Sequence, residues 1–394
     1  MLSSTNVYLA GGVRTAIGAY CGMYSDVPAP TLGSTAAKGA LARSGVSPDA
    51  INELIFGNVI GNGLGPNLAR QVTIGAGLDP AVGSTTVNKV CGSGLKSVML
   101  AAQAIQCGDA DVVVAGGTEN MTRAPYLLDK ARTGYRMGNG ELIDSMIHDG
   151  LWDGFCNKHM GSLGEDCAAK YEFTREAQDD FAVRSYQLAQ EAIAAGLFKN
   201  EIVPVEIETR KGTVTCDTDE EPGRFNEDKF RKLRPAFSRE GTITAGNASS
   251  ISDGAASVVV LSEDKLKEFG TTPQARIVGY MTSSRDPQWF TTAPCGAIQL
   301  LLDKVGWKAD DVDLYEINEA FAVVPMAAIK DVGIPEDRVN VHGGAISIGH
   351  PIGASGCRIL VTLLHAMEAR DARTGVAALC IGGGEAVAMA VERI

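Results

Sequence analysis

Cys91 lies in the segment VNKVCGSGLKS, where a short strand-forming run meets glycines and a helix-forming stretch. A thiol at that junction stands at the positive end of a helix dipole, which favours the thiolate. Gly92 and Gly94 leave room beside it for a substrate carbonyl and a bulky leaving group. The plainer alternative is a buried structural cysteine. His350 sits between Gly349 and Pro351 in GGAISIGHPIGASG, a loop of fixed shape. Imidazole there can take a thiol proton or donate to an oxyanion. Asn318 opens NEAF at the end of LYEI; it can orient a water or the histidine, or simply cap a helix. Cys380 stands just before Gly382-Gly383-Gly384, at the end of a second apolar run. Two such thiols facing one pocket can divide the work, one as nucleophile and one as acid/base. The set suits acyl transfer between thiols through Cys91. A cysteine hydrolase using Cys91, His350 and Asn318 would leave Cys380 and its glycines idle.

The rest of the composition narrows the class. The 394 residues suggest two or three domains. The net charge of −12 argues against nucleic acid or an anionic membrane as partner. No apolar run is long enough to span a bilayer, and MLSSTNVYLAGG lacks a basic region followed by an apolar one, so a cytoplasmic protein is expected. Nine cysteines, an odd number with no CxxC pair, argue against a disulfide framework or a zinc site.

The elements that must position these groups alternate. Residues 7–10, 54–60, 85–90 and 111–115 read as strands; 31–43, 67–76 and 92–106 read as helices. This is the pattern of a layered α/β domain with a largely parallel sheet. Between about 120 and 246 the chain is more charged and more aromatic, with one amphipathic helix over 176–195. Strands resume at 255–261, 276–281, 314–318, 339–342 and 376–381. VNKVCGSG followed by DVVVAGGTE is echoed by VNVHGG followed by VAALCIGGGEA, so the chain reads as two copies of one α/β unit.

Together the four motifs resemble the thiolase family in kind, order and spacing: VNKVCGSGLKS its nucleophile motif, NEAF its water-binding motif, GHPIGASG its histidine motif and CIGGG its second-cysteine motif. AGNASS with SDGAA resembles the family's coenzyme A loop, and HMG at His159 and LRPAF at Phe237 its loop domain. The resemblance covers essentially the whole chain. It implies an α/β fold of two βαβαβαββ halves stacked in five layers with an inserted loop domain. The halves would be residues 1–119 with 247–272 and residues 273–394, and the insertion 120–246.

The resemblance also implies a reaction. Cys91 takes the acyl group of a thioester with help from His350. N–H groups of Cys91 and Gly382 form one oxyanion hole; His350 and a water on Asn318 form the other. Cys380 removes a proton from a second acetyl-CoA, whose carbanion attacks the acyl-cysteine and leaves as acetoacetyl-CoA. Thiolysis is the reverse. No metal or redox cofactor is implied, because coenzyme A (CoA) thioesters are the substrates. Ser249 and Phe237 match positions that touch pantetheine and the adenine region, and His159 and Leu151 match the acyl and pantetheine pocket. Ala248 and Phe321, from the AGNASS and NEAF motifs, complete the substrate set. Arg224, in a basic stretch over 210–239, is the candidate for the CoA phosphates. RTGYRMGNGEL resembles the segment that ties short-chain thiolases into tetramers, so a homotetramer built as a dimer of dimers is expected. Acetyl-CoA, acetoacetyl-CoA and CoA are the implied partners; the alternative is a degradative 3-ketoacyl-CoA thiolase of broader chain length. Three departures stand out: Ala386 and Ser250 replace family glycines, and Phe290-Thr291 stands where a Met-Gly pair is common.

Overall fold

The structure is a computed structural model that describes residues 5–394. The first four residues, part of the N-terminal stretch and of the first half assigned above, lie outside it. The first half runs β1 (Val7–Thr15), α1 (Ala29–Ser44), β2 (Glu53–Gly57), α2 (Leu68–Gly75), β3 (Gly83–Val87), α3 (Ser93–Cys107) and β4 (Val112–Asn120). After a long excursion carrying α4 (Met160–Tyr171) and α5 (Arg175–Ala194), the chain returns as β5 (Ser252–Ser262). The second half repeats the order: β6 (Ala275–Ser284), α6 (Ala293–Val305), β7 (Leu314–Ile317), α7 (Val323–Val332), α8 (Ile352–Ala369), β8 (Thr374–Ile381) and β9 (Glu385–Glu392).

The strand order is β7-β8-β9-β6-β1-β5-β4-β2-β3. From the junction outward the halves run β1-β5-β4-β2-β3 and β6-β9-β8-β7, the same order except that the second half has no counterpart of β3, and they join where Tyr8 and Leu9 of β1 pair antiparallel with Arg276 and Ala275 of β6. Alternation along single strands explains the layering. In β4, Val112 and Val114 pack under α1 and α2, while Val113 and Ala115 face a central apolar cluster with Leu95 and Val98 of α3. In β8, Leu379 and Ile381 face that same cluster with Leu360 and Leu363 of α8, while Val376, Ala378 and Cys380 face α6 and α7. The result is helices, sheet, paired helices α3 and α8, sheet, helices. Strands covered on both faces read as continuous apolar runs, which is why they were visible in the sequence.

The sheet is mixed where the alternation predicts a largely parallel one: β1, β5, β6 and β9 run antiparallel to their neighbours in that order. Several single elements differ from the sequence reading as well. The strand expected over 339–342 is reduced to two isolated bridges, Val339 to Tyr315 and Val341 to Gly343. Asn340 breaks it: its φ is +49°, and its amide is spent on Ile317 N and O and on Glu319. β4 continues through Gly116-Gly117 to Asn120 instead of stopping at the glycines. A Cβ on Gly116 would come 2.2 Å from Ala256 O, so the glycine marks close strand contact rather than a turn. α4 was not anticipated, because its small residues and two glycines carry no helical signal. β9, with the alanine-rich run AVAMAV, was missed for the same lack of β-branched residues.

One buried ionic contact ties the excursion to the sheet. Arg14 of β1, fully buried, donates to both oxygens of Asp219 at 2.7 and 2.8 Å and to Glu201 at 2.5 Å. Among the described residues, no helix is long and apolar enough to cross a membrane.

Candidate active site

The turn between β3 and α3 is held in a costly conformation. Val90, a β-branched residue, has φ +46°. Ser93 stabilises it by accepting from Lys89 N at 2.8 Å and donating to Val90 O at 2.6 Å. The turn packs directly on the Gly-rich turn after β8: a Cβ on Gly92 would come 2.4 Å from Ile381 Cδ1. Lys89 Nζ and Glu385 Oε2 close the junction at 2.6 Å. The outcome is that the Cys91 thiol faces the main-chain N–H of Gly382 and its own N–H. Those donors draw its pKa down, but burial outweighs them and pushes it up to about 11, with the Glu119 carboxylate adding to the rise. The helix dipole therefore does not yield a resting thiolate, contrary to the sequence expectation. Cys91 needs a base.

His350 is buried and neutral: burial, then the charge of Arg358, pushes its pKa down to about 3. Its tautomer follows from its neighbours. Ser355 Oγ lies 2.5 Å from Nδ1 and donates its own proton to Pro351 O at 2.9 Å. The hydroxyl must then accept from Nδ1–H, which leaves Nε2 as the accepting nitrogen. His350 N donates to Ser250 O at 3.2 Å, so the departure at position 250 leaves a backbone tether intact. Nε2 lies 3.5 Å from Asn318 Nδ2. Asn318 does not cap a helix, since α7 begins at Val323 with Ala322 before it. Its Oδ1 is buried without a hydrogen-bond partner among the described residues. Glu319 ties the Asn318 loop to the His350 loop by accepting from Asn340 Nδ2, Ser185 Oγ and Ile346 N at 2.8, 2.7 and 3.0 Å.

Cys380 is fully buried on β8, and burial pushes its pKa well above the ordinary thiol value; the charge of Cys91 adds to the rise. Each cysteine thus resists ionisation while the other is ionised. A neutral thiol at Cys380 is poised to give a proton, and a neutral imidazole at His350 to take one. Gly382 lies beside both loops, with room for a Cβ denied by Met160.

A cleft of about 390 Å³ leads to His350. Leu151, His159, Phe237, Ala248, Ser249 and Phe321 all line it. His159 stacks on Phe237 at 4.8 Å between ring centroids, and Phe237 meets Phe321 edge-on at 6.2 Å. Cys91, Cys380, Asn318 and Gly382 are not among the cleft's lining residues. Cys91 packs in the apolar cluster of Met121 and Ile352, which wall the cleft, and Cys380 in that of Met160 and Phe321. Arg224 is not in the cleft. It lines an adjoining depression with Tyr186 and Phe225, which shares Glu221 and Ala245 with the cleft, and it pairs with Glu220 and Glu221. Ser355, Glu319 and the Lys89–Glu385 pair were not singled out from the sequence. Ser355 had a signal: a hydroxyl five residues after a histidine, on the first turn of a Pro-started helix.

The first half matches the family description "Thiolase, N-terminal domain" over residues 7–264, and the second matches "Thiolase, C-terminal domain" over 271–393. An acetyl-CoA acetyltransferase of Cupriavidus necator is 52% identical over 391 residues, covering 99% of this chain and 100% of that protein. One of Allochromatium vinosum is 51% identical over 391 residues, covering 99% of each. The crystal structure of the Bacillus anthracis acetyl-CoA acetyltransferase superposes with a TM-score of 0.98 at 40% identity over the whole of both chains. With both halves matched and the fold shared end to end, the chain belongs to the thiolase family.

Proposed function

We propose that this enzyme catalyses the reversible condensation of two acetyl-CoA to acetoacetyl-CoA and CoA. The observation that carries the reading is a Cys91 thiol facing the Gly382 N–H, together with a buried, neutral His350 on the wall of the cleft. In cleavage, His350 Nε2 takes the Cys91 proton as sulfur attacks the 3-keto carbonyl, and the Cys91 and Gly382 N–H groups hold the oxyanion. The C2–C3 bond breaks, and the acetyl-CoA carbanion takes the Cys380 proton. CoA then gives its proton to the Cys380 thiolate and attacks the acyl-cysteine. His350 returns its proton to the departing Cys91 sulfur. Condensation reverses each step. His350 and a water on Asn318 stabilise the enolate. The cleft past Phe237 and Ser249 takes pantetheine, and the depression at Arg224 takes the adenine end. The reading needs no metal or redox cofactor.

The test is quenched mass spectrometry after mixing with acetyl-CoA. An acetyl group should appear on Cys91 and vanish in Cys91→Ala. Cys380→Ser should still acylate but lose carbon–carbon bond formation. An acetyl group on Cys380 instead sinks the assignment, and acetoacetyl-CoA cleavage without free CoA would favour a hydrolase. The loop carrying Tyr126, Met137 and Leu142 exposes all three to solvent, which supports its proposed use in a dimer of dimers. Light scattering of the purified enzyme checks that mass.

A further inference from the structure

The paired central helices meet head to head. Cys91 stands two residues before α3, and His350 two residues before α8. Around the start of α8, Gly94 of α3, Gly57 of β2 and Gly117 of β4 let backbone meet backbone directly. A Cβ on Gly94 would come 2.7 Å from Cys357 N, one on Gly57 2.6 Å from Gly353 O, and one on Gly117 2.1 Å from Gly353 O. One charged side chain reaches this glycine-only junction. Glu119, near the end of β4, is fully buried. Its Oε1 accepts from Asn58 Nδ2 at 2.7 Å and Ile60 N at 3.2 Å; its Oε2 accepts from Val59 N at 2.9 Å and Gly353 N at 3.0 Å. Val59 and Ile60 pack in the same apolar cluster as Cys91, while Gly353 is the second residue of α8.

We propose that Glu119 is a positioning residue for acyl transfer, its ionised carboxylate locking the first turn of the His350 helix to the loop that is hydrogen-bonded to Val87 and Asn88, just ahead of Cys91. An anion is favoured at the N-terminus of α8. All four partners are donors, so only a carboxylate satisfies them. A carboxylic acid or an amide turns one hydrogen-bearing group toward them, whichever way it is flipped. Burial pushes the Glu119 pKa up to about 7, against the four donors that hold it down. The groups facing it are the Asn58 amide, the three main-chain N–H groups and the Cys91 thiol, whose ionisation its charge opposes. As pH falls through about 7, Glu119 takes a proton and the lock loosens.

The experiment is quenched-flow acylation of Cys91 by acetyl-CoA from about pH 5.5 to about pH 9, in wild type and Glu119→Gln. The wild-type rate should fall on the acid side with a midpoint near 7, since His350 at about 3 and Cys91 at about 11 titrate too far away to cause it. Glu119→Gln should acylate about 100-fold more slowly, with acetyl-CoA affinity nearly unchanged and the acid limb gone. A flat wild-type profile overturns the proposal without any variant. So does a Glu119→Gln enzyme, folded by near-ultraviolet circular dichroism, that acylates at close to the wild-type rate. The inference rests on acyl transfer through Cys91, and the two fail differently: no adduct on Cys91 sinks that reading, whereas an adduct formed independently of Glu119 sinks this one.

Discussion

Asn318 Nδ2 stands 3.5 Å from His350 Nε2, and the Oδ1 of the same amide is buried without a partner among the described residues. A buried carbonyl oxygen is costly unless something donates to it, so the pair is arranged for a third group, a water or substrate oxygen. Asn318→Ala should lower kcat for condensation by about 100-fold and leave KM for acetyl-CoA nearly unchanged, because the donor acts on charge that develops in the transition state. A variant that raises KM at constant kcat would assign Asn318 to ground-state binding instead.

Ser355 decides which nitrogen of His350 carries the proton. In Ser355→Ala the buried Nδ1–H loses its acceptor, at a cost of about 1–3 kcal/mol. The ring then has no reason to keep its lone pair on Nε2. Cys91 acylation should slow by about 10- to 100-fold. Nitrogen-15 spectra of labelled histidine check the cause: the wild type should show the Nδ1-protonated tautomer, and the variant a mixture. An unchanged tautomer in the variant removes Ser355 from this role.

Cys91, His350, Asn318 and Cys380 stand out as candidates in the sequence because each sits in a short segment with a special backbone: the Cys91 elbow, the Gly-Pro frame of His350, the strand end before Asn318 and the strand end that carries Cys380. The doubly buried strands were legible as apolar runs. What escaped was long-range accounting. Nothing in AGGTEN says that Glu119 meets Gly353, 234 residues away, or that Lys89 pairs with Glu385, 296 residues away. The helix N-terminus favours a Cys91 thiolate locally, and burial, which only the assembled layers define, outweighs it. Arg224 was chosen for its charge; the fold places it beside the cleft, engaged by two glutamates.

Alkylation offers a direct reading of that burial. The folded enzyme holds the Cys91 thiol protonated until about pH 11, above its ordinary value. Thiolate is the reacting form, so the rate of Cys91 modification by iodoacetamide should still be climbing above pH 9, by roughly tenfold per pH unit. The sign extends to stability: the folded state binds this proton more tightly than the unfolded chain, so its contribution is full below the ordinary thiol pKa and is lost as pH rises toward 11. Peptide mapping of the alkylated enzyme across pH checks it. A plateau below pH 8 would mean a thiolate is already present at rest.

Chain-length preference should depend on what lies behind the cleft as well as on its walls. Phe290 is 2% exposed and meets Phe321 edge-on at 6.4 Å, and Phe321 is itself a cleft wall. Trp289 turns the other way, with the Lys170 ammonium 4.2 Å above its ring. Phe290 backs Phe321, in the same apolar cluster as Met160 and Cys380, and is not itself a cleft wall. With that rigid support, acetoacetyl-CoA should be the best substrate in thiolysis, and kcat/KM should fall across 3-ketoacyl-CoA substrates of four, six, eight and ten carbons. One methylene is worth only about 1–3 kcal/mol, so the series must span several. Phe290→Ala opens a cavity behind Phe321 at a stability cost of about 3–5 kcal/mol, and lets that ring retreat. The variant should gain on the longer substrates relative to acetoacetyl-CoA. A wild-type rate that climbs with length would favour the broader degradative thiolase. If Phe290→Ala kept the wild-type profile, the limit would lie in Phe321 and the cleft walls alone.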